Sequence, residues 1–488
     1  MTVTATSVTI DAPMTVASSQ RRSGYIAFVF WAALYILPCM CFLLPGSDEG
    51  TLLYGAVRVA RGEVFARDFF EVIGPGTFYW LAAFFKLFGV SFLATRICLF
   101  LTSLGTALLM YFLSRRLCAR YQSLPILLLA ATYFGVVWPG ISHHVDSNFF
   151  ALLAVACIVL WHDGRRNRLL LAAGALAGLT TALFQPKGLL LFCAFVVWLL
   201  IRHRYHTPAI SSLAIITGGY LSVIGLVLLY FWSKGALGSL VADNFVWPSR
   251  HYGSVNSVPY ASSILSSYWD HWVVDKNSFP LSIPLAAILM VPFLFVAALP
   301  GLLAGLGVRY KWSLSSPEVL LYWLCGGALW LAELHRMDIV HLVFGSPLLI
   351  ILCIHFLGRY GGKIADLALQ MLSVSAVCLL AFNLLCLLLS AHTVKTRVGS
   401  IEMLRSDPML AFLEEHVAPG EEIFAYPHSP EYYFLSSTTN PTRYSILMYD
   451  YNTPSQFQEV VRILEQHKVR CVIWDTNFVR NTDRKSVV

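Results

Sequence analysis

The sequence predicts an all-α polytopic membrane protein, with about eleven transmembrane helices, that carries a small C-terminal α/β domain. Three observations support this. Of 488 residues, 57% are hydrophobic and 12% charged, with mean hydropathy +0.66, whereas a soluble domain carries roughly 25% charged residues. Basic residues cluster at every second connection between apolar runs. Beyond about residue 391 the apolar runs give way to alternating helix and strand patterns.

Residues 1–24 form a polar cytoplasmic tail ending near Arg21 and Arg22. The apolar run at 25–45 is longer than a signal-peptide core and lacks an A-x-A-like exit, so it reads as an uncleaved first span. Further spans are predicted at 93–113, 123–139, 148–162, 169–184, 188–201, 209–232, 281–307, 319–334, 340–357 and 366–390. Together, 25–390 form the transmembrane domain. Arg115/Arg116/Arg120, Arg165/Arg166/Arg168, Arg202/Arg204, Arg309/Lys311 and Arg359/Lys363 continue the alternation begun by Arg21/Arg22, which by the positive-inside rule puts the N-terminus in the cytoplasm. The net charge of +7 is spent on these anchors and not gathered into a patch for nucleic acid. Nine of the eleven cysteines lie in apolar runs, leaving Cys118 and Cys471 and no disulfide framework or CxxC metal pair.

The other connections are then extracytoplasmic, including the first outer loop at 46–92 and the stretch at 233–280. Within the first loop, Leu52, Leu53, Ala56, Val59 and Ala60 share a helical face, with Arg58 and Arg61 away from it. That pattern predicts a helix lying in the membrane interface. Residues 77–88 are apolar but too short to span comfortably. The outer domain at 391–488 should contain a helix opening at Ser406 or Asp407, a strand at Glu422–Tyr426, a short helix near 430–436, a helix from Thr453 and a strand at Arg470–Asp475. No glycine-rich phosphate loop and no internal repeat occur.

Polar residues in such a chain are expensive unless they pair or bind something. Asp48 and Glu49 directly follow the first span. Either they cap the next helix, as Ser47 or Asp48 could, or they act on a substrate at the membrane surface. Cationic residues on the same face are Arg67, Lys187 in "FQPKG", Arg250 and His251 in "VWPSRHYG", and Arg336 with His341 in "ELHRMDIVH". Lys187 also reads as a snorkelling helix-end lysine, Arg336–Asp338 as a structural ion pair and His251 as an ordinary loop histidine. His143, His144 and Asp146 in "SHHVDSN" have the residue types for a metal, or form a polar loop in which Asp146 positions the first one.

The acidic pair followed by "LLYGAVRVARGEVFARDFFEVIGPGTFYWLAAFFKLFGVSFLATR" resembles the first extracytoplasmic loop of polyprenyl-phosphate-dependent glycosyltransferases of the GT-C fold. The likeness is to the bacterial branch with lipid A aminoarabinose transferases, Rgt-type lipopolysaccharide glycosyltransferases and protein O-mannosyltransferases. "HRMDIVHLVFGSPLL" and "AYPHSPEYYFLSSTTNPTRY" echo the Rgt-like members. The resemblance implies a GT-C fold and a polyprenyl-phosphate-linked sugar donor. It implies an envelope glycan, lipid or protein as acceptor, and an active site on the outer face of a bacterial cytoplasmic membrane. It places Asp48 as the catalytic aspartate, with Glu49 as fallback, and Glu71 in "RDFFEVIGP" as a loop glutamate that holds a metal or the acceptor. Arg67, Asp68, Glu71, Asp146, Lys187, His251, Arg336, Asp338 and His341 become candidate substrate-binding residues. A divalent cation is left open as cofactor, with candidate ligands Glu71, His143, His144 and Asp146. The lysine that often follows the loop glutamate is replaced by Val72.

The chemistry is consistent with one carboxylate. A prenyl phosphate is already a good leaving group, so departure needs neutralisation of phosphate charge rather than a proton donor, and one general base suffices for the acceptor hydroxyl. A glycosidase instead needs two carboxyl groups flanking the bond. A lipid or solute transporter would also use many spans, but it usually places ionisable groups near mid-span between repeated halves. A catalytically dead scaffold would not need Asp48, Glu71 and Asp146.

Overall fold

A computed structural model describes residues 18–43, 48–118, 120–133, 140–203, 209–252, 257–262, 282–310, 316–403, 406–448 and 451–475. Most of the N-terminal tail, Ser47, Arg204, Lys311, much of the 233–280 stretch and the end of the outer domain lie outside the described residues.

Among the described residues every predicted span falls mainly on helix; residues 134–139 of the span expected at 123–139 lie outside them. The elements are α1 (Ser18–Cys39), α2 (Asp48–Ala60), α3 (Gly76–Phe88), α4 (Phe92–Leu117), α5 (Leu124–Tyr133), α6 (His143–Gly164), α7 (Asn167–Leu183), α8 (Gln185–His203), α9 (Ala209–Ser233), α10 (Leu237–Val241), α11 (Ser282–Tyr310), α12 (Pro317–Glu333), α13 (Ile339–Gly345), α14 (Pro347–Tyr360) and α15 (Gly362–Ser390). Among the described residues, six helices are long and apolar enough to cross a membrane alone. Phe28–Pro38 and Asn167–Leu183 are shorter apolar helices. The span expected at 340–357 is not one rod, because α13 and α14 meet at a 74° break. Pro347 opens α14, and Asn148 Nδ2 donates to the Phe344 carbonyl at 2.7 Å, satisfying an oxygen that the break frees.

Contacts at the helix ends support the alternation of connections. Arg116 after α4 reaches Asp163 at the end of α6 and Glu318 at the start of α12, at 2.7 and 2.8 Å. Arg120 lies 3.3 Å from Asp366 on α15. These polar ends therefore gather on one side of the bundle, as the basic clusters require.

At the other end sits the α/β domain. After α15 come an antiparallel hairpin, β1 (His392–Thr396) with β2 (Gly399–Met403), then α16 (Pro408–His416), β3 (Ile423–Tyr426), α17 (Glu431–Leu435), α18 (Pro454–His467) and β4 (Cys471–Trp474). β3 and β4 pair in parallel, Ile423 opposite Cys471, joined by the helical crossover that parallel strands need. Asp407 caps α16, accepting from the Met409 and Leu410 N–H groups, and Thr453 and Gln456 form a capping box on α18. The hairpin, absent from the sequence reading, docks where the bundle begins: Glu402 N–H donates to the Cys41 carbonyl at 2.8 Å, and Phe92 N–H to that of Val398 at 2.8 Å.

The first loop departs from expectation. Helix α2 does not float at an interface with both arginines outward; it is sandwiched between bundle and outer domain and buried along most of its length, and of the two arginines only Arg61, just past its end, is exposed. Arg58, 6% exposed, pairs with Glu63 at 2.7 Å and donates to the carbonyls of Asp68 and Thr442. Tyr54 OH accepts from Asn440 N–H at 2.7 Å, and its ring packs on Tyr433. Phe70 N–H donates to the Arg443 carbonyl at 2.8 Å, while Arg443 Nη2 returns a bond to Ala66 O at 2.9 Å. An amphipathic pattern identifies a buried face, but it does not tell lipid from protein.

Candidate active site

The first loop, the outer domain and the bundle enclose a cavity of about 860 Å³, within the size range of small-molecule sites. Its floor carries Asp48 and Thr51 from α2, with Glu71, Val72 and Ile73 from the loop. One wall holds His143, His144, His335, Arg336 and His341. An apolar and aromatic flank includes Phe184, Leu189, Tyr220, Phe245 and Pro248, and the outer domain contributes His428, Ile446, Met448 and Tyr451.

Each region is positioned locally. Asp48 opens α2 with its side chain 57% exposed, and His428 Nε2 lies 3.9 Å from its Oδ1, too far for a hydrogen bond but close enough for charges to interact. His428 is buried, and burial lowers its pKa, while Asp48 and Asp475 pull it partly back. Segment 428–431 is pressed onto the start of α2: a Cβ at Gly50 would lie 2.7 Å from Glu431 N. Glu71 is 2% exposed. Burial raises its pKa well above the ordinary carboxyl range, Asp48 adds to the rise and Arg58 opposes it. Beyond α10 the helix widens into π turns at Ala242–Val246 and Pro248–Tyr252. This frees Asn244 to donate to Glu71 O at 2.9 Å and aims Phe245 at the cavity.

Three motifs distant in sequence converge behind the histidine wall. Lys187 is fully buried, not snorkelling, with Nζ 2.6 Å from Glu333 Oε1 and 2.9 Å from Asn148 Oδ1. His144 Nδ1 is 3.0 Å from Glu333 Oε2. Asp338 caps α13 through His341 N–H and pairs with Arg336 at 2.7 Å and with His341 Nδ1 at 2.8 Å.

Several predicted site residues are not at the cavity. Glu49 turns the other way into a buried pair with Arg96 and accepts from Ile141 N–H at 2.9 Å. With neighbouring helical residues facing different directions, it anchors the 140–142 connection and does not back up Asp48. Arg67 is exposed and pairs with Asp68 at 2.8 Å, and Asp68 accepts from Val64 N–H at 2.6 Å, which shapes the turn after α2. His251 Nδ1 lies 3.2 Å from Trp247 O, its ring stacked on Trp247. Asp146 is buried in the first turn of α6 beside α3. Asp48, Glu71, His143, His144, Arg336 and His341 line the cavity; Lys187 and Asp338 lie behind it as supports. Glu71, His143 and Asp146 do not join in a metal-ligand group: among the described residues the group with that geometry is His144, Glu333 and His341. Sequence reasoning missed His428 and Glu333. The signal for Glu333 was a carboxylate in the last turn of an apolar helix. His428 lay within the quoted stretch "AYPHSPEYYFLSSTTNPTRY" but was not singled out there, since its importance rests on a contact far along the chain.

Residues 73–232 match the family model described as dolichyl-phosphate-mannose-protein mannosyltransferase. The structure of ArnT from Cupriavidus metallidurans bound to undecaprenyl phosphate superposes with a TM-score of 0.56 at 13% identity, covering 93% of this chain and 90% of that one. The same protein in its apo state gives 0.54 at 12% identity, covering 96% and 92%. No curated protein sequence matches. The architecture is thus that of a multi-pass GT-C membrane protein, and the resemblance read from the first loop is borne out at the level of fold.

Proposed function

We propose that the protein is an inverting glycosyltransferase that moves a sugar from a polyprenyl-phosphate carrier to a hydroxyl of an envelope glycan, lipid or protein, at the outer face of a bacterial cytoplasmic membrane. The observation that carries this is the composition of one cavity: carboxyl groups on the floor, imidazoles and a guanidinium on a wall, and an apolar flank beside them. A lipid-linked sugar phosphate has three matching parts, an acceptor-facing sugar, an anionic phosphate and a prenyl chain. ArnT, with the same fold, is seen with undecaprenyl phosphate bound.

In this reading Asp48, the exposed carboxylate at the cavity floor, takes the proton of the acceptor hydroxyl as that oxygen attacks the anomeric carbon. The carbon–phosphate oxygen bond breaks with its electrons going to the phosphate, whose charge the Arg336 guanidinium on the cavity wall stabilises. A single displacement inverts the anomeric configuration. His428 stands 3.9 Å from Asp48, close enough for its charge state to act on the carboxylate.

Synthetic polyprenyl-phosphate sugars offered to the purified protein, with product anomers assigned by NMR, test the reading. Asp48→Asn keeps the shape and removes the base, and should lower turnover by on the order of 10²-fold or more. Near wild-type transfer by that variant would remove Asp48 from the chemistry. Carrier flux through liposomes without transfer would instead indicate a transporter.

A further inference from the structure

We propose that the protein binds one divalent transition-metal ion of the zinc class between His144, Glu333 and His341. A ligand atom from each of these side chains lies within 4.8 Å of the other two. His144 Nδ1 and Glu333 Oε2 are 3.0 Å apart, close to the spacing of neighbouring ligands on a small tetrahedral ion with bonds of about 2.0–2.2 Å. Two imidazoles and one carboxylate, with a fourth position open, form a borderline-soft set suited to zinc rather than to magnesium or calcium.

The surrounding groups orient these ligands as such a site requires. Asp338 Oδ1 takes up His341 Nδ1 at 2.8 Å, placing the ring proton there and leaving the Nε2 lone pair for a cation, the carboxylate–histidine–metal arrangement. Lys187 holds Glu333 by Oε1 at 2.6 Å, which leaves Oε2 for the ion. Lys187 is itself fixed by Asn148 Oδ1, so the carboxylate cannot swing away.

Charge bookkeeping completes the case. Lys187 offsets Glu333, and Arg336, 2.7 Å from Asp338, offsets Asp338. The charge of a bound cation is therefore left for an anionic oxygen at the open position. His144 and His341 both line the cavity, so that position faces it. Neutralising the donor phosphate is the role this gives the ion, and that role rests on the glycosyl-transfer reading; the site itself does not.

The test uses full-length protein in detergent, stripped with a chelator, loaded with Zn2+ or Co2+, desalted and assayed by elemental mass spectrometry. We expect one ion per chain and, with cobalt, the intense visible bands of a four-coordinate centre. His341→Ala and His144→Ala should fall to background, while His428→Ala and Asp48→Asn keep the ion. The last variant separates this proposal from the assignment of the base, since metal content does not depend on transfer. Should removal of an imidazole compromise folding, His341→Cys serves instead, and cobalt loading should give a thiolate charge-transfer band. Wild-type protein carrying no more metal than His341→Ala, or a cobalt spectrum unchanged in His341→Cys, would overturn the site.

Discussion

Glu71 has its carboxyl buried on the cavity floor, with Asp48, Arg58 and Asp243 as the charged groups around it. Burial dominates and raises its pKa well above the ordinary value, so the folded protein holds a proton that the unfolded chain releases near pH 4.3, a value of roughly that size being normal for glutamate. Over the interval above that pH the native state binds more protons, and stability must fall as pH rises. Glu71→Gln imitates the protonated form and should flatten that slope. Thermal unfolding in detergent across a pH series checks this: the wild-type midpoint should fall toward alkaline pH more steeply than the variant's, and parallel curves would mean that Glu71 is not held neutral. A protonated Glu71 beside Asp48 also gives the floor a hydrogen-bond donor next to an acceptor, two carboxyl groups separated in role by environment.

At the scale of elements, α7 is short for a span and depends on α9. A Cβ at Gly174 would sit 2.0 Å from the Ile216 carbonyl oxygen, and one at Gly219 would sit 2.2 Å from that of Leu171. The two backbones meet along a glycine seam, the mode of association favoured in membranes, where water no longer drives helices together. Gly174→Ala must push the helices apart and should cost about 1–3 kcal/mol, read as a lowered unfolding midpoint. Gly218→Ala, where a Cβ meets open space, is the control and should change little. Equal midpoints for both variants would show the seam to be looser than described. Hydropathy made the helices legible, because length and apolarity are local properties. It could not show the break at Ser346, since the same apolar run serves a straight or a bent path. Nor could it show that α2 is buried by protein, because the amphipathic signal is the same for a membrane surface.

For the whole molecule, the outer domain is a roof and not an appendage. Tyr54, Arg58, Phe70 and Arg443 tie it to the first loop, and it contributes His428 and Tyr451 to the cavity. Its strands β3 and β4 and the helix starts at Asp407 and Thr453 could be read from local patterns, whereas the β1–β2 hairpin and the docking could not, because the docking bonds join side chains and backbone groups far apart in the chain. Much the same division holds for the candidate site. Asp48, Glu71, His144, Arg336 and His341 stood out as polar residues in apolar surroundings and do share one cavity. Glu49 and Arg67 stood out for the same reason but are used for structure. Residue type therefore marked the polar positions, and only three-dimensional direction sorted binding groups from supports.

The Lys187–Glu333 pair also bears on how the chain is made. Lys187 enters the membrane at the head of α8, and its counter-charge arrives only when α12 has been synthesised, four helices later. Until then the ammonium must stay at the lipid boundary, and the nascent bundle is held short of its final depth. Its burial is thus a late event of biogenesis, a check that α12 has arrived. Chains ending before α12 should be cleared rapidly by membrane quality-control proteases, and Lys187→Met should lengthen their lifetime in a pulse-chase experiment; identical lifetimes with and without the lysine would refute this order of assembly.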